Sequence, residues 1–138
     1  MTDTKPTSFE QVKEWNQKFE VPAFIDLPDA FARQKFWDLR MKLIREEFKE
    51  LMDELLDARN GDGSMFRIAK EAADLHYVIY GTEALLEIPA NDTFAEVHRS
   101  NMSKLGTDGK PVRRSDGKVL KGPNYSEADL TKILGVSD

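Results

Sequence analysis

The chain contains no cysteine. That excludes disulfide staples and every thiolate metal site, structural zinc of the usual kinds among them. Histidine is scarce as well, with two in 138 residues. His76 and His98 stand in no Glu-x-x-His motif, so the ferritin-like di-iron pattern is missing, and each reads as a surface or satisfied core histidine. Any metal chemistry must then rest on oxygen ligands, which favour hard cations such as Mg²⁺, Mn²⁺ or Ca²⁺. No run is long and apolar enough to span a bilayer, and the polar opening Met1–Thr7 has no apolar signal segment. Net charge is −5 and the pI is near 5.1, a balance that speaks against a duplex nucleic-acid surface. The P-loop, the dinucleotide fingerprint and the nucleophile elbow are all missing. An EF-hand loop laid over Asn60 to Glu71 fails at its sixth position, which needs glycine and holds Met65. These exclusions leave a cytoplasmic protein with neither membrane nor nucleic acid as partner.

What is present reads as globular. Hydrophobic residues make up 40% and charged residues 33% of the chain, and the length suits a single domain over 1–138. Ser8 to Phe19 predicts a short helix from the spacing of Phe9, Val12, Trp15 and Phe19. Pro22 and Pro28 bracket a connection, and Asp29 or Pro28 begins a long helix that runs to about Arg59. Its main apolar stripe is Trp37, Met41, Ile44, Phe48, Leu51 and Leu55. Asn60–Gly63 breaks the pattern. Ser64 caps a third helix reaching about Ile88, and Pro89 ends it. Asn91 or Asp92 then caps a fourth, with Thr93 and Glu96 at capping-box spacing and Gly106 as its stop. From Thr107 onward the chain predicts an irregular C-terminal arm, 107–138. It carries turns at Asp108-Gly109 and Asp116-Gly117, a short strand or hairpin arm at Val119-Leu120, and a last helical turn over Asp129–Leu134 capped by Ser126 and Asp129. The expected fold is all-α: an antiparallel bundle of about four to five helices.

The placement of acids is the informative feature. On the third helix Glu71 falls within about 60° of Ile68, Leu75, Val78 and Leu85, and Asp74 lies beside it one turn on. Two acids therefore interrupt an apolar stripe. A lone buried carboxylate is costly or stays protonated, and a divalent cation removes that penalty. On the second helix a parallel seam of Phe36, Leu43, Glu47, Glu50 and Glu54 starts apolar and turns acidic. Glu47 and Glu50 are three apart, as are Glu71 and Asp74, so each pair shares a face. If the two helices are antiparallel neighbours, the four carboxylates converge. Bases cluster from Lys104 to Lys121. Lys104, Arg113, Arg114, Lys118 and Lys121 suit pyrophosphate or form a solvated basic tail. Trp15, Asn16 and Phe19 can stack on and hydrogen-bond a base, or simply pack in the core.

The spacing Glu47-x-x-Glu50 followed by Glu71-x-x-Asp74 resembles the MazG-like all-α nucleoside triphosphate pyrophosphohydrolases, which include dimeric dUTPases and phosphoribosyl-ATP pyrophosphohydrolases. The run Phe94–Lys104 is similar to their fourth helix. Arg114–Lys118 and Lys121–Tyr125 are similar to the tail of the dUTPase-like and phage branch. The resemblance spans roughly Trp37 to Tyr125. It implies two or three Mg²⁺ or Mn²⁺ ions held by Glu47, Glu50, Glu71 and Asp74. It implies water activation by Glu46, and phosphate or ribose contacts by Asn101 and Lys104. It also implies subunits that share a site, as a homodimer or homotetramer. The activity expected on this basis is hydrolysis of a (deoxy)nucleoside triphosphate, dUTP or dGTP for instance, to monophosphate and pyrophosphate for nucleotide-pool control. The alternatives are phosphoribosyl-ATP hydrolysis, a nucleotide-binding regulator without chemistry, and a non-catalytic acidic helical module.

Overall fold

The computed structural model describes residues 4–136; residues 1–3 of the polar opening and the last two of the expected arm lie outside the described residues. The described residues form five α-helices: α1 (Ser8–Lys18), α2 (Ala30–Arg59), α3 (Met65–Leu85), α4 (Ala90–Met102) and the single turn α5 (Thr131–Leu134). A 3₁₀ turn, Phe24–Asp26, lies between α1 and α2. The chain divides into two compact units, 1–88 and 89–138.

The first unit is a three-helix assembly built on α3. Helix α1 starts at a capping box that the sequence reading did not single out. The Thr7 hydroxyl accepts from the Glu10 N–H at 3.2 Å, and the Glu10 carboxylate accepts from the Thr7 N–H at 2.6 Å. Both otherwise orphaned donors are satisfied. Phe9 and Val12 are buried on its inner face. Phe9 meets Tyr80, and Trp15 meets Tyr77 edge to face, so rising numbers on α1 meet falling numbers on α3 and the two run antiparallel. Asp29 caps α2 through the Ala32 N–H at 2.8 Å, and Ser64 caps α3 through the Arg67 N–H. The link Asn60–Ser64 turns the chain through Gly61, whose φ of 91° is left-handed, and Gly63, where a Cβ would lie 2.7 Å from Ala58. Only glycine fits these two demands. Arg67 then clasps the hairpin, bonding Glu54 at 2.7 Å and the Asp62 carbonyl at 3.0 Å.

The packing of α2 differs from expectation. Its predicted main stripe does not form the core: Trp37, Met41, Phe48 and Leu55 are exposed, and none of the described residues of α2 is fully buried. The half-buried positions are Ala32, Phe36, Arg40, Leu43, Ile44, Glu47, Leu51, Glu54 and Ala58, so of the predicted stripe only Ile44 and Leu51 turn inward. The acid-bearing seam is thus the face turned to α3, because the short link fixes which side of α2 the returning helix can reach. The α2 apolar stripe is left open, along with Met65 and Phe66 at the start of α3, 82% and 80% exposed.

The second unit joins α4 to an irregular arm. Helix α4 starts one residue before the expected cap, with Pro89 in the capping position and no side-chain cap bond. Proline has no N–H to satisfy there, and its carbonyl accepts from Asp92 and Thr93. Thr93 and Glu96 do not form a capping box. The Thr93 hydroxyl donates to the Ala90 carbonyl, and Glu96 binds Arg99 through two bonds of 2.8 Å. Glu96 also accepts the Asp129 N–H at 2.9 Å, which anchors the arm. These donors hold the Glu96 carboxyl far below the usual range, at about 2. The helix stops at Met102, short of Gly106. Val119-Leu120 makes no regular strand but forms a hairpin arm, with the Leu120 N–H donating to the Val112 carbonyl and the Arg114 N–H to the Lys118 carbonyl across the Asp116-Gly117 turn. Among the described residues the arm has only isolated bridges, Leu105 with Pro111 and Arg113 with Val119, set off by tight turns. Ser126 does not cap the last turn. Its backbone is held by Ser103 and Ser100, while Asp129 accepts from the Thr131 N–H.

Candidate metal and anion site

Antiparallel pairing of α2 with α3 brings Glu47 opposite Glu71 and Asp74. One carboxylate oxygen from each lies within 4.8 Å of the others. All three side chains are half-buried. Glu47 Oε2 and Glu71 Oε2 are buried with no hydrogen-bond partner. Burial pushes the Glu47 carboxyl above its ordinary range, and the nearby charges of Glu50, Asp74 and Glu71 push it further in that order. Acceptors that face each other without donors are unfavourable in a bare protein. A hard divalent cation supplies the missing positive charge, so the residues present fit an oxygen-ligated ion.

A cation already stands at the edge of this group. The Lys70 ammonium bonds Asp74 at 2.8 Å and Glu71 at 3.1 Å, and these two carboxylates raise its pKa. Sequence reading did not single out Lys70. The available signal was its position four residues before Asp74, a spacing that puts the two on one helix face. Glu50 is exposed and stands outside the three-residue group, though its charge reaches Glu47. Glu46 is exposed and lies 3.8 Å from Lys42.

The expected base-binding residues occupy α1. Trp15 stacks on Phe19 with ring centroids 4.5 Å apart and 18° between planes. Phe19 is largely exposed, whereas Asn16 is buried and its Nδ2 has no partner. In the second unit Lys104 donates to Asn101 Oδ1 at 2.9 Å. Three of the expected basic contacts are held within the arm. Arg114 binds Asp116 through two bonds, Arg113 donates to the Gly117 carbonyl, and Lys121 lies over Tyr125 and 3.9 Å from Glu127. Lys118 has an exposed side chain.

The raised Glu47 pKa predicts a pH dependence. The folded, metal-free protein holds the Glu47 proton more tightly than the unfolded chain does. Its stability therefore falls as pH rises from the ordinary glutamate value of 4.5 through the higher folded value. Thermal melts in chelator across this window should show wild type losing more stability with rising pH than Glu47→Gln. Parallel curves for the two proteins would contradict the electrostatic account.

Among curated proteins, none matches the chain. The sequence model of the phosphoribosyl-ATP pyrophosphohydrolase family matches residues 17–101. That span is more than half of the chain and takes in α2 and α3 whole, with all four acids. This family lies within the MazG-like superfamily, so the wider resemblance stands. The expectation of dUTP or dGTP as substrate is overturned by the match. The acid pattern by itself says nothing of the nucleoside. The tail segments that suggested the dUTPase-like branch, Arg114–Lys118 and Lys121–Tyr125, lie outside the matched span. Matched over more than half of its length, this chain belongs to the phosphoribosyl-ATP pyrophosphohydrolase family, metal-dependent hydrolases of a phosphoric anhydride.

Proposed function

We propose that this protein hydrolyses phosphoribosyl-ATP to phosphoribosyl-AMP and pyrophosphate. The observation that carries this reading is the half-buried group Glu47, Glu71 and Asp74 inside the span matched by that family. Water oxygen attacks the α-phosphorus, the bond from that phosphorus to the bridging oxygen breaks, and pyrophosphate leaves with the bridging oxygen. Glu47, Glu71 and Asp74 would hold Mg²⁺, or Mn²⁺ in its place, with Glu50 at the margin completing a set for two or three ions. Such ions neutralise phosphate oxygens and lower the pKa of water.

The protein's own residues set the stage for this. Burial of Glu47 and Glu71 in the hairpin fixes their direction before substrate arrives, so little reorganisation remains to be done. Lys70, bonded to Glu71 and Asp74, would yield them to a divalent ion of higher charge. Glu46, on the exposed side of the same turn, is the proposed acceptor of the water proton. Asn101 and Lys104 are proposed phosphate or ribose contacts, with Lys118, Lys121, Arg113 and Arg114 as charge-balancing partners. Trp15 and Asn16 are proposed contacts to the base. The open apolar stripe of α2 supports a homo-oligomer, a homodimer or homotetramer, in which a second copy covers it.

The test is release of pyrophosphate and phosphoribosyl-AMP from phosphoribosyl-ATP in the presence of Mg²⁺. Turnover that stops on chelation is the expected result. Folded protein that leaves phosphoribosyl-ATP intact with both Mg²⁺ and Mn²⁺ would refute the reading.

A further inference from the structure

The buried polar atoms without partners fall into two chemical kinds. Glu47 Oε2 and Glu71 Oε2 are acceptors, while Arg40 Nε and Asn16 Nδ2 are donors. The acceptors call for a cation. The donors call for an acceptor of their own: Arg40 lies elsewhere on α2, and Asn16 lies on α1. Arg40 and Glu47 are seven residues apart on α2, which places them on one face about 10 Å apart along the axis. On α3 the same offset separates Gly81 from Asp74. A Cβ at Gly81 would lie 3.5 Å from Arg40 Nη1 and 3.8 Å from Val12 Cγ1. Val12 is one turn before Asn16 on α1, and α1 runs antiparallel to α3. Asn16 is thus intermediate in level between Arg40 and the acids.

Arg40 is in no ion pair among the described residues. Burial lowers its pKa from the usual arginine value, and it nonetheless stays charged, as arginine does in proteins. A half-buried guanidinium with an open Nε–H is unfavourable for folding alone, because its desolvation is not repaid by a counter-charge. Asn16, on α1 at a level between Arg40 and the acids, is 7% exposed, so its amide does not reach bulk water either. A planar fork of donors selects a phosphate or carboxylate over a neutral oxygen.

We propose that Arg40, with Asn16, is the receptor for a second anionic group of the substrate: a phosphate monoester held about 10 Å along the helices from the carboxylate group and never in contact with the metal. This rests on the reading of phosphoribosyl-ATP as substrate, since that molecule carries a phosphate on its additional ribosyl group, far from the triphosphate. An ordinary nucleoside triphosphate has nothing to place there. Arg40 is then a specificity-determining residue: it distinguishes a nucleotide phosphorylated at both ends from one phosphorylated at a single end.

The experiment is calorimetric titration with ribose 5-phosphate in the presence of chelator, using wild type, Arg40→Gln, Arg40→Lys and Glu71→Gln. Without metal the acidic group repels this probe, so binding reports on the donor site. Wild type and Glu71→Gln should bind alike. Arg40→Gln should bind about 10- to 100-fold more weakly, the range for losing hydrogen bonds to a charged group. Arg40→Lys should fall between, keeping the charge without the fork. In turnover, KM for phosphoribosyl-ATP should rise by a similar factor in Arg40→Gln. Arg40→Met guards against a folding artefact. Removing an unpaired buried charge should leave the melting temperature unchanged or higher, whereas a purely structural role would lower it. No binding of ribose 5-phosphate by wild type, or equal binding by Arg40→Gln, overturns the proposal. Binding that depends on Arg40 in a protein that does not hydrolyse phosphoribosyl-ATP would leave the anion site standing and remove the substrate assignment alone.

Discussion

Glu71→Gln is expected to reduce hydrolysis on the order of 10³-fold and, at the same time, to stabilise the metal-free protein. The first effect follows from charge. Losing one anionic ligand from a group of three weakens the ion's hold, and an ion of this kind contributes several kcal/mol to the transition state. At about 1.4 kcal/mol per factor of ten, the rate loss has that order. The second effect has the opposite sign for the same physical cause. Glu71 Oε2 is buried without a partner and lies among the oxygens of Glu47 and Asp74. An amide removes a like charge from that group while its oxygen can still accept from Lys70. Melting curves with and without Mg²⁺ separate the two effects. Wild type should gain stability on adding Mg²⁺, since an ion that binds only the folded state stabilises it. Glu71→Gln should start higher and gain little. A variant that keeps either its activity or the full Mg²⁺ response would show that Glu71 is not a ligand.

The second large effect concerns the open face of α2. Phe48→Glu is expected to convert a dimer to a monomer, with a dissociation constant raised about 30- to 1,000-fold. Trp37, Met41, Phe48 and Leu55 recur along one side of α2 at helical spacing, and Phe48 is 52% exposed. A stripe of this kind, continued by Met52 and Leu56, exceeds the scattered apolar residues of an ordinary surface. A specific dimer buries about 800 Å² per partner, and a row of large side chains along a 30-residue helix has the length to supply it. A charge at the centre of such a contact costs about 2–4 kcal/mol, as the loss of a central anchor does. Light scattering after size exclusion reads the mass directly. A monomeric wild type at micromolar concentration, or an unchanged mass in Phe48→Glu, would count against a second copy on this face.

The helices were legible in the sequence because their signals are local. Apolar spacing, Ser64 as a cap, and the glycine link after Asn60 act over a few residues and need no partner. The cap of α4 was placed two or three residues late, at Asn91 or Asp92, because Pro89 serves where a polar side chain was expected. At Val119-Leu120 the hairpin arm forms and the strand does not: Val119 bridges Arg113 across the Asp116-Gly117 turn, but the pairing is too short for a ladder, and the rest of the arm is held by Glu96, Ser100 and Ser103.

By itself the sequence determined the kind of chemistry. Two acid pairs at three-residue spacing, one inside an apolar stripe, with no cysteine and few histidines, leave hard-cation chemistry on helices. Only the tertiary structure decided which acids meet: Glu47 with Glu71 and Asp74, Glu50 outside them, and Lys70 bonded to two of them. It also decided which face of α2 is inward. Two apolar seams run along that helix, and a helical wheel ranks them by hydrophobicity alone. The short turn to α3 selects by geometry, and it selects the seam that carries Arg40 and Glu47. The unmatched donors and acceptors of that seam become visible only when the helices are side by side, because a hydrogen bond left unmade is a property of the packing and not of any residue.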